Sequence, residues 1–226
     1  CARIIRRASV HAVLGFTCCV TAFPFLWMAV SSLKTKEEVL DTASFLPSVP
    51  QFGNYRSILA DSPIPGYLAN SFFVSLAAAA IQLVCCALFT YAVTFMKIRG
   101  RDMLFRLVLF TYMVPTAVTY IPCYIILSRM GLLDSYQGLI LSNGVSVFGI
   151  FLLHQAFEAV PKETMEAARM DGAGHLSILT RIIVPMTRPS FMTFILLSFI
   201  NTYNSYMWPS LITDSPNLSL ISQGLR

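Results

Sequence analysis

Charge is what this sequence has least of. Asp, Glu, Lys and Arg together make up 12% of its 226 residues, while apolar residues make up 56%. A soluble domain carries roughly 25% charged residues. A water-soluble fold of this length cannot hide so much apolar surface, because most of a folded chain's surface still faces water. The scarcity of charge excludes an ordinary soluble domain and points to lipid as the solvent. Other absences narrow the chemistry. There is no G-x-x-x-x-G-K-[ST] run to cradle nucleotide phosphates, no H-E-x-x-H, no nucleophile elbow and no paired-carboxylate constellation. The cysteines Cys1, Cys18, Cys19, Cys85, Cys86 and Cys123 form no C-x-x-C and no Cys–His metal spacing. All but Cys1 sit in apolar runs, where they read as small apolar filling with no disulfide framework.

What is present is length of apolar sequence. A spanning helix needs about 20 mostly apolar residues, and five runs reach that length: residues 8–33, 70–95, 103–127, 136–157 and 184–208. They are too long and continuous for the alternating strands of a membrane barrel. Helices satisfy their own backbone groups in lipid. The expected fold is therefore all-α, a polytopic transmembrane helical bundle forming a single domain over residues 1–226. The chain starts at Cys1 rather than methionine, so residues are expected before it. The first run is too long for the apolar core of a signal peptide and no A-x-A site follows it, which makes it an uncleaved span. Pro115 and Pro122 predict a kink in the third run, and Ala77 to Ala80 predict a small-residue packing surface in the second.

The net charge of +5 forms no single patch, which argues against nucleic acid. Arg3, Arg6 and Arg7, then Lys97, Arg99 and Arg101, then Lys162, Arg169 and Arg181 all fall on one side if the spans alternate. On the other side Lys34, Lys36, Arg56 and Arg129 are diluted by Glu37, Glu38, Asp41, Asp61 and Asp134. The positive-inside rule then places the N-terminus in the cytoplasm.

Two linkers are long. Residues 34–67, outside, contain Pro47, Pro50, Pro63 and Pro65 and read as an irregular extracytoplasmic excursion. Residues 158–183, inside, are polar and punctuated. Pro161 suits a first helical turn, Glu163 and Glu166 favour its positive end, and Lys162 to Met170 are good helix formers. Gly172 fits the left-handed position past a helix end. Ser177 is placed to cap a second helix, with Leu176, Leu179 and Ile183 on one face, leading to Pro185. Ala167 and Ala168 leave a flat patch. Two readings fit this pattern: a short helix that docks in a partner's groove, or an amphipathic helix lying on the membrane.

Glu166-Ala167-Ala168, three residues, Gly172, nine residues, Ile182, one residue, then Val184-Pro185 resembles the EAA loop of ATP-binding-cassette importer permeases, with Val184 where that family has Leu. Phe23 to Met28, Ser32-Leu33-Lys34, Asn54-Tyr55, Asn70-Ser71, Gly131 to Asp134 and Asn204 to Pro209 are similar to the second permease of maltose-type and glycerol-3-phosphate-type importers. The resemblance implies six spans, of which five are visible, with the sixth expected beyond Arg226. It implies a multi-pass protein of the bacterial plasma membrane that passes a sugar or related solute by alternating access. It also implies a coupling loop in which Pro161, Glu166, Ala167, Ala168, Asp171, Gly172, Ile182 and Pro185 matter. The implied partners are a second, homologous permease, two cytoplasmic ATPase subunits, an extracytoplasmic solute-binding protein and membrane lipid. ATP and Mg would then belong to the ATPase, with no cofactor or metal on this chain.

Polar groups within spans usually face the bundle interior or a wet cavity. Asn201, Tyr203, Asn204 and Tyr206 offer the amides and rings that a sugar site needs. They equally suit helix–helix glue and interfacial anchoring. Asn143, His154 and Gln155 are further polar positions in the fourth run. Two competing functions are a stand-alone secondary carrier or channel, which has no need of the inner loop, and an intramembrane enzyme, which requires a catalytic pair that the spans do not offer.

Overall fold

A computed structural model describes residues 2–41 and 44–225, and only the backbone at residues 2–6 and 8. Cys1 and the side chains of Arg3 and Arg6 lie outside the described residues. Helix is the only regular structure among the described residues. The chain divides into two units, Cys1–Pro65 and Gly66–Arg226.

The first unit holds α1 (Ala2–Ser31), α2 (Lys36–Leu40) and α3 (Gly53–Asp61). The stretch Ser9–Ser31 of α1 is long and apolar enough to cross a membrane. Beyond α1 the chain is pinned by side chains rather than by a core. Thr35 and Glu38 form a reciprocal capping box at the start of α2. Asn54 donates to the carbonyls of Ser32 and Lys34 at 3.0 and 3.1 Å. Lys34 is 3% exposed; its ammonium donates to the Ser44 carbonyl at 2.6 Å and lies 4.8 Å over the Trp27 ring. A buried ammonium is held by such a carbonyl and ring face only if both stay fixed, so these contacts tie the end of α1 to the segment after α2.

The second unit is organised around α4 (Ile64–Phe95), a single helix about 48 Å long at 1.5 Å per residue. It is apolar all round because one side meets lipid and the other meets the bundle. Its buried side runs through Ser71, Ser75, Ala78, Gln82, Cys86 and Thr90, at steps of three and four, with Val74 beside Ser75. Ala78 and Ala79 of the expected small-residue surface are buried, and Ala80 turns outward.

The other apolar runs are broken, which corrects the expectation of continuous helices. The third is split into α5 (Arg101–Thr111) and α6 (Thr116–Arg129), which meet at 101°. Pro115 sits in the extended joint before α6, while Pro122 is accommodated inside that helix. The fourth run becomes α7 (Tyr136–Leu141) and α8 (Val147–Glu158), separated by the turn at residues 142–146. After α9 (Lys162–Met170), helix α10 (His175–Ile178) passes through a π-helical turn, Leu179–Ile183, into α11 (Val184–Met186). The chain then bends by 87° into α12 (Arg188–Tyr203). That helix ends at Asn204, so Trp208 belongs to the separate α13 (Met207–Ile212); α14 (Ile221–Gly224) follows. Hydropathy reads composition and is blind to these joints. By length and composition two helices cross a membrane unbroken, and up to four spans arise if each bent pair is one span, with Val147–Glu158 as a shorter apolar helix.

The inner core gathers Ile150, Leu153 and Phe157 of α8, Phe191 and Phe194 of α12, and Ile178, Leu179 and Ile183 of the π-turn region. The approach of α8 to α12 depends on Gly149, where an added Cβ would lie 2.2 Å from the Phe194 ring. A second cluster joins Val74, Leu127, Leu139, Trp208, Ile212 and Leu220 near the other end of α4.

Candidate functional site

The loop at residues 158–183 folds as its spacing predicts at the first helix and differently at the second. Pro161 is the N-cap of α9, one position earlier than expected. Gly172 has φ +78°. Its N–H donates to the Arg169 carbonyl, and the N–H of Ala173 donates to the Ala168 carbonyl, each at 3.0 Å. That pair of bonds is a Schellman motif, which ties up the last carbonyls of α9 and needs a left-handed residue at Gly172. Gly131 closes α6 in the same way, with φ +67° and bonds from Gly131 to Ser128 and from Leu132 to Leu127.

Gly174, in extended conformation, begins the next helix. This displaces the expected cap at Ser177 by three residues and puts Ser177 inside α10. The π-turn then changes the register: Leu176 is 67% exposed, and the buried face is made by Ile178, Leu179 and Ile183. Pro185 accounts for the turn. It has no N–H to give to the carbonyl four residues back, and its ring crowds that carbonyl, so the wider turn relieves the clash. Thr187 closes the segment, giving both its N–H and its hydroxyl to the Ile183 carbonyl at 2.9 and 2.6 Å.

The inner face of α9 is locked down. Met165 and Ala168 are buried in the aromatic core, so Ala168 serves the chain's own packing, whereas Ala167 faces outward. Pro161, Glu166, Ala167, Asp171, Gly172 and Pro185 are all exposed, and Ile182 is half-buried against the core. Beside them Met170 is 87% exposed. Two further contacts escaped sequence reasoning. Arg169 donates from Nη2 to the Phe95 carbonyl of α4 at 2.8 Å, and His175 Nδ1 lies 3.0 Å from the Tyr91 hydroxyl of α4. No local pattern links residues 74 and 84 positions apart, so neither pair carries a sequence signal. Below α9 is a hollow of about 470 Å³ lined by Lys97, Arg101, Glu158, Lys162, Glu166 and Arg169 among others.

The helix breaks face two further hollows. One, of about 850 Å³, is bounded by the joint of α5 and α6 (Thr111 to Thr116), by Val145 to Phe148 and by Leu197 and Asn201. The other, of about 170 Å³, holds Gln82, Asn143, Ser146, Ser198, Asn201 and Thr202. Non-helical backbone in a bilayer must be satisfied by protein, and α4 supplies the partners. Gln82 donates to the Asn143 carbonyl at 2.6 Å and accepts from the Ser198 hydroxyl at 2.6 Å. Cys86 and Thr90 reach the carbonyls of Ser146 and Ile150, both at 3.4 Å. Of the four residues expected to contact a solute, Asn201 borders both hollows. Tyr203 stacks on Phe199 with centroids 5.6 Å apart, and Asn204 and Tyr206 lie in the turn after α12, so the structure does not gather the four into one site. His154 stacks on Phe105 at 3.9 Å, with Nε2 3.9 Å from Glu158.

At the end of α4 away from that loop, Asn70 accepts from Tyr136 and donates to the carbonyls of Asn217 and Ser219. Ser71 accepts from the Ile221 N–H at 2.8 Å. Asp134, at φ 51°, accepts from the Ser215 hydroxyl and from the N–H groups of Asp214 and Ser215. Those bonds from Ser215 hold its carboxyl below the ordinary value.

A bundle of broken helices with a self-capped helical loop before its last long span defines a transport permease of the inner membrane. Residues 83–225 match the family described as the binding-protein-dependent transport system inner membrane component, and the chain belongs to that family. It is 30% identical to the sn-glycerol-3-phosphate transport system permease protein UgpE of Agrobacterium fabrum, over 99% of this chain and 82% of the relative. It is 27% identical to the lactose transport system permease protein LacG of Rhizobium radiobacter, over 94% and 77%. It is 30% identical to the arabinooligosaccharides permease AraQ of Bacillus subtilis, over 90% and 74%. Among solved structures it resembles a chain of a bacterial ABC transporter that imports the acidic polysaccharide alginate, with TM-score 0.87 and 26% identity over 99% of this chain and 79% of that one. The chain is thus a permease subunit of an ABC importer, and that setting gives it an ATPase and a solute-binding protein as partners.

Proposed function

We propose that this chain pairs with a second, homologous permease in lipid and passes an uncharged sugar or oligosaccharide. It is driven by two separate ATPase subunits that carry the ATP and Mg. The loop at residues 158–183 is the coupling element. The observation that carries this reading is the two-faced α9: Met165 and Ala168 anchor it inward, while Ala167, Met170 and the neighbouring Leu176 stand uncovered by their own chain. A rigid, capped helix with an apolar outer face suits a partner's groove. ATP binding that closes the ATPase pair would move α9 and shift the bundle between two packings. Asn201 is the residue of this chain best placed to meet the solute. The two membrane hollows carry hydroxyls and amides and no charged side chain, which favours an uncharged solute over a phosphorylated one.

The test is purification through a tag on this subunit. Co-purification of a second permease and a Walker-motif ATPase, with the ATPase lost on changing Glu166 and Gly172, supports the reading. Recovery of this chain alone, active in liposomes without ATP, overturns it in favour of a secondary carrier.

A further inference from the structure

We infer that α4 is a rigid rod that carries the movement of the 158–183 loop to the opposite face of the protein, where it acts on residues 214–224. This inference rests on the coupling role proposed for that loop. The loop grips α4 at two points on either side of its glycine turn. Arg169 of α9 binds the Phe95 carbonyl at the very end of α4. His175 of α10 meets the Tyr91 hydroxyl, one turn earlier, at 3.0 Å and packs edge-on to its ring at 5.8 Å. Tyr91 is buried, so its hydroxyl is held in place on the side of the core, while His175 stands exposed beside it. The end of α4 is fixed from the other flank as well, where Arg101 donates to the Thr94 carbonyl at 3.2 Å. These arginines occupy carbonyls that every helix C-terminus leaves open.

The far end of α4 is bonded just as specifically. Asn70 holds the carbonyls of Asn217 and Ser219, and Ser71 receives the N–H of Ile221. Between Ser71 and Phe95 the helix is unbroken, a distance of about 36 Å at 1.5 Å per residue. The route through the chain itself is softer: it passes a π-turn and an 87° bend before reaching α12. A displacement of α9 therefore reaches residues 214–224 along α4 without crossing a joint. Arg169 and Tyr91 are positioning residues in this scheme, acting through α4 rather than on solute or nucleotide.

The experiment uses the intact importer in lipid nanodiscs, with Asn217→Cys and, separately, Glu163→Cys as reporters for a polar maleimide. The rate for the parent protein is subtracted. Labelling rates are compared without nucleotide and with ATP, Mg and vanadate. The expected result is a nucleotide-dependent change at both positions. In the Tyr91→Phe/Arg169→Gln variant the change is lost at position 217 and kept at 163, and Arg169→Lys alone, which leaves Tyr91 in place, retains it at 217. If the double variant does not assemble, Tyr91→Phe alone decides, since it removes one hydroxyl. A variant that keeps the change at 217, or a parent importer that responds at 163 and not at 217, overturns the rod while leaving the coupling loop intact. Silence at both positions in the parent importer instead removes the coupling role, and the rod with it.

Discussion

Gly149→Ala sets two opposing terms against each other, and the structure decides between them. Alanine in place of glycine inside a helix is worth about 1 kcal/mol of stabilisation. At Gly149 the new methyl carbon would lie 2.2 and 2.3 Å from two carbons of the Phe194 ring and 3.0 Å from a third, where relaxed carbon contacts sit near 3.5–4.0 Å. The ring would have to retreat by more than an ångström, yet Phe194 is 1% exposed and walled in by the inner core. Overpacking a closed core costs about 1–3 kcal/mol, occasionally more. The clash therefore offsets the propensity gain, and the expected outcome is net destabilisation of up to about 2 kcal/mol. Gly15→Ala in α1 is the control: nothing lies within 4 Å of its added Cβ, so only the propensity term remains and the variant should equal or exceed the parent. Thermal unfolding of the purified importer in detergent reads both. Restoring space with Phe194→Leu should recover part of the loss in Gly149→Ala, as a double-mutant cycle. A Gly149→Ala variant that melts at or above the parent temperature would refute the close-packing argument.

Gln82→Leu leaves the Ser198 hydroxyl and the Asn143 carbonyl without their partner; it should cost about 1–2 kcal/mol in the same melting assay. Gly172→Val alone, with Glu166 left in place to hold the ATPase, forces a β-branched residue to φ +78° and should abolish ATP-driven transport in a complex that still assembles, read as hydrolysis without solute uptake. Asp134 has a depressed folded value, so its hold on Asp214 and Ser215 is present above its ordinary value of 3.8 and is lost as pH falls through the lower folded one. Amide exchange at Asp214 and Ser215 should accelerate on that acid side, and Asp134→Asn should flatten the response.

What could be read from the sequence was local. The interval from Pro161 to Gly172 states a helix, its start and its left-handed stop, because each signal acts within a turn. The second half of that loop misled at Ser177 and Leu176, because Pro185 reshapes the turn behind it and the register follows. The apolar runs were found by composition, but their joints at residues 112–115, 142–146 and 187 were not. A hydropathy window averages over the few residues that break a helix. Of the candidate solute contacts, only Asn201 lines the hollows at the joints, a position that depends on how α12 crosses α8. The grips of Arg169 and His175 on α4 were invisible, for they join residues far apart in the chain.

The polar stripe of α4 also bears on how the protein is made. Helix α4 is long and apolar enough to enter a bilayer by itself. The halves α7 and α8, of 6 and 12 residues, are not, since about 20 residues are needed to cross. Their joint exposes carbonyls that hydrocarbon rejects. Those of Asn143 and Ser146 find Gln82 and Cys86 on α4, which is synthesised earlier in the chain. The order of synthesis therefore matches the order in which the joint can be satisfied: the helix that carries the polar partners comes before the broken pair that needs them.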